Sequence, residues 1–171
     1  MSASTTSRPP LDEDTLRVAR QVFEWVRSGN LPALQPYLGN GLPTNLRNEK
    51  GDSLLMLAAY HGHAELVQAL LRHGADPSVA NDRGQVPLAG AAFKGHVEVV
   101  RALLDHGADV DAAGPDGRTA LMTAAMFNRV DIMDLLLERG ADPLHRDATG
   151  MTALGAAEKM GAEDAADRLR Q

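Results

Sequence analysis

The stretch that decides the fold reads GQVPLAGAAFKGHVEVVRALLDHGAD over residues 84–109. It holds a short run of small and apolar residues, then a break at Gly95-His96. From Val97 to Asp105 the apolar residues recur at helical spacing. Gly107 stands where helices commonly end on a glycine with positive φ. The stretch therefore predicts two short helices joined by a tight turn and followed by an extended connector.

The same pattern returns every 33 residues. Two series of residues keep this step: Gly51, Gly84, Gly117 and Gly150, and Leu55, Leu88, Leu121 and Leu154. The triplet Gly-Ala-Asp at residues 74–76 returns at residues 107–109 and 140–142. A fixed period of this length predicts stacked units that bury a shared core.

These residues resemble the ankyrin repeat, whose 33-residue signature includes Gly-x-Thr-Pro-Leu-His, Ala-Ala, Gly-His-x-Glu and Leu-Leu-x-x-Gly-Ala-Asp. The best-matching unit carries Gly84, Pro87-Leu88, Ala91-Ala92, Gly95-His96, Glu98, Leu103-Leu104 and Gly107-Ala108-Asp109. The resemblance covers roughly residues 15–171. It implies an all-α ankyrin-repeat solenoid of about five helix-turn-helix units with β-like finger connectors.

The period also predicts the domain boundaries. We expect a disordered tail over residues 1–11 and a single ankyrin-repeat domain over residues 12–171. Its units would be an N-terminal capping repeat at 12–47, full repeats at 48–80, 81–113 and 114–146, and a C-terminal capping repeat at 147–171. The first unit has a longer first helix, about Glu13 to Arg27, with Asp12 as its N-cap. In the fourth unit Asn128 replaces the inter-helix glycine, and asparagine enters the left-handed region more easily than most residues.

Composition narrows the function classes. The net charge is -6 and the 17 basic residues are scattered, which argues against nucleic acid as a partner. The chain has no cysteine, so disulfides and thiol catalysis are excluded. No apolar stretch approaches a membrane span, and the N-terminus lacks the apolar core of a signal peptide. We therefore expect a cytoplasmic protein without a membrane partner.

Residue types that often carry chemistry are already explained by the repeat. His63 and His96 occupy the same place in successive units, where they are expected to stabilise the turn. Asp76 and Asp109 belong to the recurring Gly-Ala-Asp triplet. No phosphate-binding loop or nucleophile elbow occurs in the sequence. We therefore expect no catalytic residues, no metal site and no cofactor.

The resemblance also implies a partner-binding surface. Ankyrin proteins usually contact partners through a concave face, made from the finger tips and the exposed ends of the first helices. In this chain the first-helix ends supply Tyr60, His61, Phe93, Lys94, Met126, Phe127 and Met160, and the fingers supply Lys50, Asp52, Arg83, Gln85 and Arg118. The apolar members would form a stripe across successive units, because they recur at the two adjacent positions that end the first helices. Alternatively, these side chains fold between the layers and fill gaps in the core.

The expected function is that of a monomeric adaptor or scaffold that binds another protein through this face. A second hypothesis is a dedicated inhibitor or immunity-type protein for a co-encoded toxin or enzyme. A self-associating structural protein and a small enzyme are the remaining alternatives. The sequence does not identify the partner.

Overall fold

The computed structural model describes residues 12–171, so the tail predicted for residues 1–11 lies outside the described residues. The described part contains five helix pairs in chain order. They are α1 (Glu13–Ser28) with α2 (Leu31–Gly39), α3 (Leu54–Tyr60) with α4 (Ala64–Arg72), α5 (Pro87–Lys94) with α6 (Val97–Asp105), α7 (Ala120–Met126) with α8 (Val130–Glu138), and α9 (Ala153–Met160) with α10 (Glu163–Arg170). First helices pack on first helices and second helices on second helices, which makes a two-row solenoid.

Small side chains set the spacing between the first helices. The alanine pairs at 58–59, 91–92 and 124–125 are fully buried. Alanine lets neighbouring helix axes approach closely, because its side chain adds little width. The second helices contribute larger aliphatic groups, such as Leu70, Leu103 and Leu136, which are also fully buried. The core is therefore continuous along the stack.

Short polar side chains fix where the first helices begin. The hydroxyl oxygens of Ser53, Thr119 and Thr152 each accept a hydrogen bond from a backbone N–H in the first turn. This satisfies a donor that an isolated helix end leaves free. Helix α5 follows Val86, which offers no such bond, and begins instead with Pro87. Proline suits the first helical position, since it has no N–H to satisfy.

The finger connectors are built on side-chain-to-backbone hydrogen bonds. The side-chain oxygens of Asn48, Asn81 and Asp147 each accept two backbone N–H groups from the following turn. Neighbouring fingers are joined through the amides of Asp82 and Ala148, which donate to carbonyls of the preceding finger at 3.2 and 2.9 Å. Among residues 12–171 the β-type pairing is limited to one isolated bridge between residues 47 and 53. The fingers are therefore turns rather than strands of a sheet.

The tight turn inside each helix pair needs a left-handed residue. Gly95 fills this place with φ of 84°, and Asn128 fills it in the next unit with φ of 56°. The asparagine side chain also reaches the following unit. Its oxygen accepts from the Ala165 amide at 2.9 Å, and its nitrogen donates to the Asp164 carboxylate at 3.0 Å. The left-handed conformation expected for Asn128 is confirmed, and its side chain joins two layers.

The residue that follows this turn also joins successive layers. The Nε2 atom of His63 lies 2.7 Å from the carbonyl oxygen of Arg27, and that of His96 lies 3.1 Å from the carbonyl oxygen of Tyr60. Each histidine thus stabilises the turn of the preceding unit. Arg129 occupies the equivalent place, but its Nε is buried without a hydrogen-bond partner.

Asn128→Ala is expected to lower the free energy of unfolding by about 2 kcal/mol. The left-handed conformation is about 1 kcal/mol less favourable for alanine than for asparagine. The variant also leaves the Ala165 amide without its acceptor, which costs about 1 kcal/mol more. Asn128→Gly loses the same hydrogen bonds, but glycine adopts the left-handed conformation without strain. It should therefore lower the free energy of unfolding by about half as much. Urea unfolding followed by circular dichroism measures both variants. Equal losses would contradict a role for the backbone conformation.

Arg129→His is expected to raise the free energy of unfolding by about 1 kcal/mol, because a histidine here can bond to the Phe93 carbonyl. His96→Ala is the matched loss of an existing bond and should lower stability by a similar amount. Thermal unfolding compares the two variants with the unchanged chain. A destabilised Arg129→His protein would show that the arginine contributes packing that a ring cannot replace.

Candidate functional site

A groove of about 820 Å³ lies between the fingers and the first helices of the three central units. Its finger side is drawn from residues 48–52, 81–86 and 112–118. Its floor and opposite side come from α3, α5 and α7. Both sides rest on buried helices, so the groove is present before any partner arrives.

Ten of the twelve residues expected to bind a partner line this groove. They are Lys50, Asp52, Tyr60, His61, Arg83, Gln85, Phe93, Met126, Phe127 and Arg118. Lys94 stands beside the groove, with its Nζ 5.1 Å from the centre of the Tyr60 ring. Met160 lies on α9, away from the groove, with 52% of its surface exposed. The three central units therefore hold nearly the whole predicted set.

The three aromatic side chains keep much of their surface exposed. Tyr60, Phe93 and Phe127 are 38%, 41% and 40% exposed. Phe93 and Phe127 also meet edge to face, with ring centres 5.0 Å apart. Met126 of the same predicted stripe is half-buried, whereas Met160 is exposed. The aromatics thus form an exposed row, and Met126 is the member that lies partly within the layers.

The polar residues of the finger side differ in how far they are already engaged. The Asp52 carboxylate accepts from the Asn81 side chain at 2.9 Å, and Gln85 bonds to the same amide group at 3.1 Å. Asp52 thus joins adjacent fingers, and Gln85 stabilises the turn of its own finger. Lys50 and Arg83 are exposed and form no ion pair with the described residues. They are the finger cations left available to a partner.

Reasoning from the repeat missed the floor of the groove. The floor includes Met56, Leu57, Ala89, Gly90 and Thr123. Each lies three or four residues before one of the groove-lining aromatics or Met126, which places both on one helix face. A larger residue in place of Gly90 would be crowded, since a Cβ there would lie 3.3 Å from the Met56 sulfur. Helical spacing from the expected anchors was the signal that could have found these residues.

His61 lies in a positive electrostatic environment. Its pKa is lowered below the ordinary value, chiefly by partial desolvation of the ring and then by His63, Arg27, Lys94 and His96. Arg27 and Lys94 are positively charged, so protonation of His61 would place another positive charge near them. The helix-end side of the groove therefore carries cations, although the chain as a whole is acidic.

Other site types find little support in the part of the chain that is described. Within residues 12–171 no three histidine, aspartate or glutamate side chains are grouped so as to hold a metal ion. His63 and His96, the pair that raised the metal question, both bond to backbone carbonyls instead. No helix in this range combines the length and the apolar character needed to span a bilayer.

Stacked helix pairs with a groove beside their finger connectors define a helical solenoid of the repeat-protein class. The family described as ankyrin repeats (3 copies) matches residues 23–114 and again residues 110–171, so the chain belongs to the ankyrin-repeat family. This confirms the fold and the family predicted from the sequence. Ankyrin repeats are generally protein–protein interaction modules, and they are typically not enzymes.

One relative supports the same assignment over part of the chain. A Pseudomonas aeruginosa protein named as an ankyrin repeat protein, PA3287, is 56% identical over 61 residues. The match covers 36% of this chain and 36% of that protein. The chain therefore aligns with about a third of the length of the relative, and its own partner is a matter for proposal.

The pKa of His61, measured by NMR titration, is expected to lie below the ordinary value of 6.5. Lys94→Gln should raise that pKa, because it removes one neighbouring cation. Lys159→Gln is the matched control, since Lys159 lies in the last turn of α9 outside the groove, and it should leave the pKa unchanged. An unchanged pKa in Lys94→Gln would contradict the electropositive environment.

The same shift has a consequence for stability. The unfolded chain binds a proton at His61 more readily than the folded chain, because the folded pKa is the lower of the two. The contribution of neutral His61 to stability is therefore present above pH 6.5 and is lost as the pH falls from that value through the lower pKa of the folded chain. His61→Gln should make the free energy of unfolding less dependent on pH in this range.

Proposed function

We propose that the groove binds a segment of another protein and that the chain acts as a monomeric adaptor or scaffold. The observation that carries the proposal is the exposed row of Tyr60, Phe93 and Phe127 across three successive units. Aromatic side chains dominate binding hot spots, and contiguous exposed apolar surface marks interaction sites.

Because of its position on packed helices, the row loses little conformational entropy when a partner binds. Tyr60 and Phe93 stand on α3 and α5, whose opposite faces are buried in the core. Phe93 and Phe127 already restrain each other through their ring contact. A partner therefore meets side chains that are largely ordered, and less binding energy is lost in fixing them.

The size of the groove indicates how much of a partner it accommodates. Packed helices lie about 10 Å apart, so three layers extend over about 20–30 Å. An extended chain advances about 3.3 Å per residue. The groove thus fits about six to nine residues of an extended segment, with the aromatic row contacting alternate side chains.

The combined substitution of Tyr60, Phe93 and Phe127 by alanine is expected to abolish partner capture while the protein stays folded. Truncation of one true hot-spot anchor costs about 2 kcal/mol or more of binding. Tyr37→Ala is the matched control, because Tyr37 on α2 has the same 38% exposure as Tyr60 but lies outside the groove. Immobilised protein, incubated with lysate of the source cells, gives captured partners for identification by mass spectrometry.

The partners retained by the unchanged chain and by Tyr37→Ala, but lost with the triple variant, are those that use the groove. Circular dichroism and light scattering of each variant report whether it remains folded and monomeric. Equal capture by a folded triple variant would refute the proposal, and a mass that rises with concentration would refute the monomer.

A further inference from the structure

The turns that join the two helices of each pair carry an unusual charge distribution. We name as the turn ridge the residues 27–30, 60–63, 93–96, 126–129 and 159–162, which hold equivalent places in the five units. The ridge contains Arg27, Lys94, Arg129 and Lys159, together with His61, His63 and His96, and it contains no aspartate or glutamate. In a chain of net charge -6, this is a local reversal of sign.

The ridge meets the groove in the first four units, through Arg27, Tyr60, His61, Phe93, Met126 and Phe127. His61 lines the groove, and Lys94 lies over the Tyr60 ring, so that its charge is held beside the aromatic row. Arg27 already forms an ion pair with Glu24. Lys94 forms no ion pair with the described residues, which leaves it as the cation of this corner open to an incoming group. His61, whose pKa is lowered, adds a mainly neutral ring that can donate a hydrogen bond.

The acidic residues nearest in sequence lie off the groove. Glu65 and Glu98 stand in the first turns of α4 and α6, and neither lines the groove. Arg27 and Lys94 of the ridge act on His61 and lower its pKa, after the larger effect of desolvation. The corner beside Tyr60 thus holds two ridge cations, whereas Glu65 and Glu98 lie off the groove.

The finger side of the groove carries both signs. Glu49, Asp52 and Asp116 stand there among Lys50, Arg83 and Arg118. A polyanion laid along the groove would meet three carboxylates, which opposes nucleic acid. A segment with one carboxylate placed against the turn ridge would avoid this repulsion and gain a charge-assisted hydrogen bond. The distribution therefore favours a discrete acidic group.

This inference rests on the function proposed above. We propose that the bound segment presents an aspartate or glutamate side chain to Lys94 and His61, with neighbouring apolar side chains on Tyr60, Phe93 and Phe127. Lys94 is restrained by the ring beneath it before binding, so little side-chain entropy is lost when it pairs. The acidic group fixes the register of the segment, and the aromatic row supplies the affinity.

The test begins with a display library of random twelve-residue peptides, selected on the unchanged chain against a background of the triple alanine variant. Enriched peptides are synthesised with amidated C-termini, and their affinity is measured by fluorescence polarisation. We expect an Asp or Glu beside apolar residues in the enriched set. Lys94→Gln should weaken binding about tenfold, the loss expected for a charge-assisted bond. Lys159→Gln, the same charge change on the ridge outside the groove, should leave binding unchanged.

A matched peptide pair then assigns the contact. Replacing the peptide's Glu by Gln should weaken binding to the unchanged chain and have little further effect on Lys94→Gln, since both changes remove the same interaction. His61→Gln should give a smaller loss of the same kind. Additive losses from the two changes would overturn the pairing.

The remaining outcomes separate the two proposals. Enrichment of uncharged or basic peptides that still need the aromatic row would overturn the acidic contact and leave the groove function standing. Enriched peptides unaffected by each groove variant, or no enrichment over the triple variant, would count against both. Binding that requires a free C-terminus would reassign the carboxylate, and a single-stranded oligonucleotide that displaces the peptide would reassign the ridge to a polyanion.

Discussion

The close approach of successive first helices is the constraint on which the rest of the molecule depends. It is possible because Ala58-Ala59, Ala91-Ala92 and Ala124-Ala125 lie fully buried at the interfaces. Interiors are packed tightly, so even one additional methylene at these places would force the layers apart. The spacing of the layers sets the spacing of the fingers, whose backbone bonds run from one to the next. The groove thus follows from helix packing, and side chains such as Asn48, Asn81 and Asp52 fix the shape of its finger side.

The turn ridge follows from a second contact between layers. A Cβ on Gly29 would lie 2.6 Å from the Nδ1 of His63, and one on Gly62 would lie 2.6 Å from the Cε1 of His96. The ring of one unit therefore stacks on the bare turn of the unit before it, and its Nε2 bonds to a carbonyl there. Residues that stabilise the stack are for this reason also fixed, titratable groups along one edge. The same side chains therefore stabilise the stack and contribute titratable groups to the surface along this edge.

The repeat period made the fold predictable, and it made the site predictable only in part. The spans Glu13–Ser28 and Val97–Asp105 fall within a residue of the helices expected from capping and apolar spacing. Repeat position also placed the aromatic row correctly at the helix ends. It could not show that Met126 is half-buried whereas Met160 is 52% exposed, because burial depends on what the adjacent layer presents. The position of Lys94 over Tyr60 likewise depends on rotamers, which a period does not encode.

The net charge of the chain repels an acidic partner, whereas the local charge beside the groove attracts it. At -6, the chain repels an acidic segment at long range. Salt limits this repulsion, since the screening length is about 8 Å at physiological ionic strength. Lys94 of the turn ridge lies within that distance of Tyr60, 5.1 Å from the ring centre. Electrostatics would therefore add little to the rate of encounter. It would act after contact, by favouring the one register of the segment that places its carboxylate at the corner of the groove.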